Sequence, residues 1–286
     1  MSVPRVTVIC LCYNQRRFVK AAIESVLTQT YSNIELIVVD DASTDDSIAV
    51  IEACIARYPG IKFLALEKNS GNCKAFNSAL IHAQGQYIID LAADDLLLPD
   101  RVSKGVATLA KAGDEFGVHF CDADWISEEG RTIYRHSDRF PHTTIPEGDI
   151  YRHLIERFFI CSPTMMFGRN VIESLGGYDE SLAYEDFDFW IRSSRNFLYC
   201  YSADVLVRKR VVKNSMSHKQ FRMFSPQLES TFKVCTKIMA LNRSGDEQKA
   251  LAKRIEYEIG VCLRLLHLPL AIKYVGLYFQ NQRLRY

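Results

Sequence analysis

The amino-acid sequence predicts an α/β fold: a doubly wound, mostly parallel sheet followed by a C-terminal helical extension. Three observations predict it. Over the first 126 residues, short β-branched apolar runs alternate with segments whose apolar residues recur at helical spacing. The strand-like runs are continuous, as in strands covered on both faces, and the segments between them, about 10–15 residues long, suit crossover helices. Right-handed crossovers then give the doubly wound topology. Helical periodicity from Pro226 onward predicts the extension.

In chain order, Val6 to Cys12 is a β-branched apolar run bounded by Pro4 and Asn14. Arg16 to Gln29 places Phe18, Ala22, Ile23, Val26 and Leu27 at helical spacing. Ile34 to Val39 is a second strand, and Asp46 to Tyr58 a helix with Ile48, Ile51 and Ile55 on one face. Ile61 to Leu66 reads as strand, Cys73 to Gln84 as helix, Tyr87 to Ala92 as strand, Asp100 to Ala112 as helix and Gly117 to Cys121 as strand. After Asp124 the rhythm changes. Glu128-Glu129-Gly130 predicts a hairpin turn, and the polar stretch Arg135 to Gly148, with two prolines and two histidines, predicts a mobile loop. Asp149 to Ile160 is helical, Thr164 to Phe167 a short strand, and Asn170 to Leu175 a helix ended by Gly176-Gly177. Asp186 to Arg195 is a helix with acids in its first turn, and Ala203 to Val212 is strand-like. Leu228 to Leu241, Asp246 to Leu266 and a piece after Pro269 are helices.

Composition excludes several classes. With 286 residues, 48% apolar, 14 Gly and 8 Pro, the chain is neither disordered nor collagen-like. No apolar run reaches the roughly 18 residues of a membrane span, and Met1 to Val8 lacks the pattern of a signal segment. Nine cysteines, several in apolar runs and with no CxxC pair, predict reduced thiols in the cytoplasm rather than disulfides or structural zinc. The balance of 35 basic against 34 acidic residues conceals an asymmetry: residues 205–286 carry +11 and residues 1–204 carry −10. An acidic body suggests a carboxylate-rich site, and a basic tail suggests either an anionic contact surface or a solvated helical face.

In an open α/β sheet, ligands bind beyond the carboxyl ends of the strands. The second strand runs into Asp40-Asp41 and the fourth into Asp94-Asp95, so both pairs are expected on one edge. Carboxylates gathered there repel unless a cation or donors intervene, and hard oxygen ligands suit Mn²⁺ or Mg²⁺. Neither GxGxxG nor GxxxxGK[ST] occurs, so a metal bridging two phosphates, as in a nucleoside diphosphate, takes the place of a glycine cradle. The alternative for Asp40-Asp41 is turn and cap chemistry before the next helix. For Asp94-Asp95 it is a helix-approach loop before Pro99.

The opening VTVICLCYNQRRFVKAAIESVLTQTYSNIELIVVDDASTDDS, followed in order by NSGNCKAFNSAL, GQYIIDLAADDLLLPDRV and YEDFDFWIR, resembles the family 2 inverting glycosyltransferases of GT-A fold over about residues 4–217. The resemblance implies a nucleotide-sugar donor, UDP-sugar foremost, and a divalent metal. It implies a catalytic domain over residues 1–217, with a nucleotide-binding half and an acceptor half, and a basic helical region over 218–286. By motif, Asp41 bonds the nucleotide base beside Leu11 and Tyr13, Asp95 binds metal, Asp94 reaches ribose or metal, and Asp186 of the Glu185-Asp186 pair is the general base. Such a base suits an in-line displacement, and a helix N-terminus favours its ionised form. First-turn helix acidity is the plainer reading of Glu185 and Asp186, and core packing that of Trp190, Met165 and Met166.

The chain departs from the family pattern at three places. Ala92 stands where the metal motif begins with Asp, Phe76 replaces a basic residue with Lys74 the nearest substitute, and Val212 replaces a histidine that His218 could supply. Arg169, in CSPTMMFGR, admits either a phosphate or acceptor contact or a structural ion pair. No Gln-x-x-Arg-Trp run occurs, which favours a single addition, in cell-surface polysaccharide or glycolipid assembly. Val261 to Phe279 is too interrupted to span a bilayer but could lie along one, suiting a lipid-linked saccharide acceptor and a peripheral position at the inner face of the membrane; packing on the catalytic domain and a homodimer contact are the alternatives. No nucleic-acid-binding motif is present. The rival activities are a catalytically inactive nucleotide-sugar-binding protein, a nucleotidyltransferase and a glycosidase.

Overall fold

The computed structural model describes residues 3–213, 222 and 224–284. Its first compact unit comprises residues 1–148, 160–178 and 197–212; the second comprises 149–159, 179–196 and 213–286. The second unit thus joins two segments from within residues 1–217 to the C-terminal region.

Unit one begins β1 (Val6–Cys12), α1 (Val19–Leu27), β2 (Ile34–Asp40), α2 (Ser47–Arg57), β3 (Lys62–Ala65), α3 (Asn72–Leu80) and β4 (Tyr87–Ala92). These four strands form a parallel array in the order β3-β2-β1-β4. Every residue of β1 is buried, which explains its unbroken apolar run. Because side chains alternate across a strand, Val6, Val8 and Cys10 share one core with Val19, Ile23 and Ile51 of α1 and α2. The intervening residues face the other side, where α3 packs against β1 and β2. The sheet is therefore covered on both faces, as expected.

The remaining strands are β5 (Leu96–Leu97), β6 (Phe116–Ile126), β7 (Thr132–Arg135), β8 (Met166–Gly168) and β9 (Leu198–Arg210), with α4 (Arg101–Ala112) after β5 and α6 (Arg169–Ser174) after β8. They extend the sheet as β4-β8-β6-β9-β5, with β7 on β6. The long β6–β9 ladder is parallel, whereas β8, β5 and β7 pair antiparallel over two or three residues. The turn at Glu128–Gly130 joins β6 to β7 as expected.

The expected mobile loop after Arg135 is instead tied down. A single 3₁₀ turn, His136–Arg139, follows β7, and the buried Asp122 accepts from Ser137 N–H at 3.1 Å and Ser137 Oγ at 2.6 Å. Gly148 then bridges to Tyr199. A polar stretch can be ordered when a buried carboxylate supplies the acceptor.

Unit two is helical: α5 (Tyr151–Glu156), α7 (Asp186–Ser193), α8 (Pro226–Leu241), α9 (Gly245–Arg264) and α10 (Leu268–Arg283). Ser225, Ser244 and His267 cap α8, α9 and α10 with side-chain acceptors. Arg254, buried on α9, pairs with Glu258 at 2.9 Å and stacks over Phe158 and Phe187, so its charge and its apolar stem are both used. Trp190 is buried here, a core residue. Across the chain all nine cysteines are free and buried.

Candidate functional site

β1 lies between β2 and β4, and the register places Asp40 opposite Cys12 and Ala92 opposite Leu11. The loops leave side by side: Asp41 N–H donates to Cys12 O and Ala93 N–H to Leu11 O, each at 2.9 Å. Both acidic pairs therefore open on the same carboxyl edge, on strands roughly 10 Å apart, two inter-strand spacings. A groove of about 420 Å³ between α1 and α2, lined by Ala49, Val50, Ala53 and Arg57 among others, includes none of these acids.

Within the first pair the two carboxylates divide their work. Asp40 accepts from Ser43 N–H at 2.8 Å and Ser43 Oγ at 2.6 Å, closing a turn of the kind Asp readily forms. Asp41 reaches across to the start of α3. Its Oδ1 accepts from Ser70 N–H at 2.7 Å and Ser70 Oγ at 3.0 Å, and its Oδ2 from Gly71 N–H at 2.9 Å. Turn chemistry thus accounts for Asp40, while Asp41 anchors the Ser70-Gly71 turn that leads into α3, the helix carrying Lys74. Asn14 joins the β1 and β2 loops: its Oδ1 accepts from Thr44 N–H at 2.7 Å, and its own N–H donates to Ser43 Oγ at 2.9 Å. Asn14 and Ala42 both hold left-handed backbone (φ 54° and 60°), which asparagine tolerates and alanine does not, so the rim is strained at Ala42. Leu11 is nearly buried, Tyr13 is exposed beside it, and Lys74 is exposed on the first turn of α3.

The second pair is the more electrostatically loaded. Asp95 is buried and Asp94 half-buried. Burial raises both carboxyls above the ordinary range; Asp95 also feels the charge of Asp94, while Lys209 and Arg210 pull the other way. Asp95 Oδ1 accepts from Arg210 N–H at 2.7 Å. The Arg210 guanidinium donates to Asp94 O at 2.9 Å and to Glu128 O at 2.8 Å, and lies over the Phe18 ring. Arg210 therefore clamps this loop to the β6–β7 turn. Arg210 carries no expected role in the sequence motifs beyond its place at the head of RVVKNSMS.

A divalent cation fits Asp94 and Asp95 by donor chemistry: two adjacent carboxylates, raised by burial, with hard oxygens to share. Magnesium-type sites commonly use one or two carboxylates and complete their shell with water and substrate phosphates. Among the described residues no group of three or more His, Cys, Asp or Glu is placed to hold a metal ion. Ala92 is exposed at the end of β4 and Val212 is half-buried. His218 and residues 214–217 of the RVVKNSMS run lie outside the described residues.

Phe76, where a basic residue was expected, is fully buried and stacked on Tyr178 with ring centres 4.2 Å apart. Arg169 donates to the backbone carbonyls of Gly85, at 2.8 Å, and Ala83. Gly168 pairs with Tyr87, so Arg169 lies at the start of β4, the end opposite Asp94. A structural role is what its contacts show. Met165 and Met166 are buried, as packing residues are.

In unit two, Glu185 and Asp186 are half-buried at the N-terminus of α7, and Asp186 Oδ1 accepts from Phe187 N–H at 2.7 Å. The third acid of this turn, Asp188, is engaged structurally: it is buried and bonded to Arg192 Nε at 2.7 Å and Lys237 Nζ at 2.5 Å. Lys237 also holds Asp179 at 2.6 Å. Burial would raise the Asp179 carboxyl, but Lys237 and Ser181 hold it at about 2.

Comparison with known proteins gives the geometry a context. An uncharacterized glycosyltransferase of Rickettsia prowazekii is 28% identical over 73% of this chain and 64% of its own length. The chain thus spans under two thirds of that relative. The succinoglycan biosynthesis protein ExoO of Rhizobium meliloti is 26% identical over 95% of this chain and 86% of its own. Among solved structures, S. aureus TarS 1-349 in complex with UDP-GlcNAc superposes with a TM-score of 0.74, at 19% identity, over 97% of this chain and 81% of that one. The mannosyltransferase PcManGT from Pyrobaculum calidifontis, in complex with GDP-Man and Mn²⁺, gives 0.66 at 18% identity, over 99% and 85%. These likenesses establish the GT-A fold. The model of glycosyl transferase family 2 matches residues 7–176, more than half of the chain, and with the four-strand parallel array and its acidic rim in place, this protein belongs to that family.

Proposed function

We propose that the chain transfers one sugar from a nucleotide diphosphate donor, a UDP-sugar foremost, to a hydroxyl of a saccharide or lipid-linked saccharide, with inversion at the transferred carbon. The observation that carries this reading is the meeting of Asp40-Asp41 and Asp94-Asp95 at one rim of the sheet, flanking β1. Family membership supports the reaction class, and the name of the Rhizobium relative supports a place in exopolysaccharide assembly.

Asp95, with Asp94 beside it, would hold Mn²⁺ or Mg²⁺, which when bound neutralises the diphosphate of the departing nucleotide. Asp41 fixes the Ser70-Gly71 turn; with Leu11 and Tyr13 at the end of β1 it would shape the wall for base and ribose, to which the exposed Lys74 would add positive charge. Asp186, following the motif, takes the proton of the acceptor hydroxyl; its position in the first turn of α7 favours the ionised form. One feature favours a binding protein without catalysis: Phe76 fills the place of a basic residue with a buried aromatic stack. Transfer by the wild-type chain excludes that reading.

The test is thermal stabilisation of the full chain by UDP and UDP-sugars, with and without Mn²⁺. Stabilisation by the nucleotide is expected only with metal, and it should vanish in Asp95→Asn. Equal stabilisation of the variant would overturn the ligand assignment.

A further inference from the structure

Helix α10 is apolar on two faces, and packing accounts for one of them. Leu270, Tyr274, Leu277 and Asn281 are buried toward α8 and α9. Leu268, Ile272, Val275 and Phe279 repeat at i, i+4, i+7 and i+11 along the opposite side, and all are exposed, Ile272 at 72% and Phe279 at 60%. A continuous apolar stripe of this kind marks an interaction surface.

The turn before α10 adds to the stripe in an unusual manner. Leu266 occupies the position after α9 where glycine is customary, with φ 55°, and His267 N–H closes the helix end onto Cys262 O at 2.8 Å. Phe224 is likewise left-handed, with φ 59°, and its ring lies 4.7 Å from that of His267. At both positions a side chain is strained where glycine would not be. Both are also large, apolar and exposed, Leu266 at 70% and Phe224 at 63%.

Charge identifies the occupant. Residues 259–286 contain no Asp or Glu, against Arg264, Lys273, Arg283 and Arg285. Glu229 of α8 pairs with Lys273 at 3.2 Å on the flank of α10. An acid-free, basic-edged apolar face complements anionic headgroups over acyl chains. Two copies of this face brought together would set like charges against each other. No described helix is long and apolar enough to cross a membrane. We propose that the outer face of α10, with Leu266 and Phe224, docks along the surface of an anionic lipid bilayer.

This inference goes beyond sugar transfer and does not depend on it: transfer to a water-soluble acceptor would proceed without vesicles. The experiment is flotation of the full chain with phosphatidylcholine vesicles, with and without about one third phosphatidylglycerol. Binding should be at least tenfold stronger on the anionic vesicles and should weaken as salt rises. Ile272→Ser/Phe279→Ser should lower it at least tenfold with unchanged thermal melting, because both side chains are exposed. Lys273→Gln/Arg283→Gln should abolish the preference for anionic lipid. The proposal is overturned by failure to float, or by equal binding of the serine variant. It is also overturned by a dimer of the wild-type chain in sedimentation that the serine variant dissolves, which would make the stripe a contact between copies.

Discussion

The guanidinium of Arg101 lies 3.2 Å from Nδ1 of His119, with both side chains fully buried. Arg101 opens α4 and also donates to Thr164 O at 2.6 Å, while His119 Nε2 meets Ser202 Oγ at 2.9 Å. A neutral imidazole satisfies this arrangement: Nδ1 accepts from the arginine and Nε2–H donates to the serine. Burial, and then the charge of Arg101, push the histidine down to about 2.

That depression makes acid a destabiliser. In the unfolded chain His119 takes up a proton near pH 6.5; in the folded chain it does not until about pH 2. The unfolded state binds more protons throughout that window, so stability falls as pH drops below about 6.5. By linkage this one site contributes a loss of about 2 kcal/mol between pH 8 and pH 5. Urea unfolding at the two pH values measures it, and His119→Asn should flatten the dependence by that amount even though the variant is less stable at both. An unchanged slope would show that His119 is not the group responsible.

Asp95→Asn should separate stability from binding. Asp95 sits at raised pKa beside Asp94, so its contribution to stability is full below about pH 4 and is lost as pH rises. Asparagine keeps an acceptor for Arg210 N–H and removes the repulsion. Without ligand the variant should therefore be more stable than wild type by about 1–3 kcal/mol at pH 8, a gain that disappears near pH 4. Denaturant melts across that range would show the crossover; a variant less stable at every pH would contradict it.

Asp186 and Asp188 are two residues apart and should fail in different ways. Asp186→Asn should fold as wild type, bind nucleotide and lose transfer by about 10²–10⁴-fold, the range of a missing general base. Asp188→Asn breaks a buried pair with Arg192 and Lys237 and should lower stability by about 3 kcal/mol. Parallel thermal melts and single-turnover transfer assays distinguish the two. A fully active Asp186→Asn enzyme would remove that residue from the reaction.

Elements that bury a whole run were legible from the sequence, and those made by distant pairing were not. β1 and β2 announced themselves because every position of β1, and all but the first two of β2, is buried. β6 extends past the expected Cys121 to Ile126: Asp122 and Asp124 broke the apolar pattern, although Asp122 is buried on Ser137. β9 starts at Leu198 rather than Ala203 for a similar reason, polar and exposed residues lying amid its buried ones. β5 is two residues long and carries no period to read. At the site, the shared edge of the two acidic pairs followed from strand order. Two features did not: Asp41 gripping Ser70 and Gly71, 29 and 30 residues on, and Arg210 bracing Asp95 from 115 residues away. Such contacts depend on tertiary register, which no local spacing encodes.

The nine buried thiols make the native chain inert to large sulfhydryl reagents while marking every excursion away from it. A colorimetric disulfide reagent at neutral pH should find almost nothing to titrate until a segment opens, and the order in which cysteines react would rank those segments by the ease of opening. Cys10 in the central strand should be among the last, and Cys54, on the outer helix α2, among the first. The protein thereby carries, at no added label, its own gauge of local unfolding.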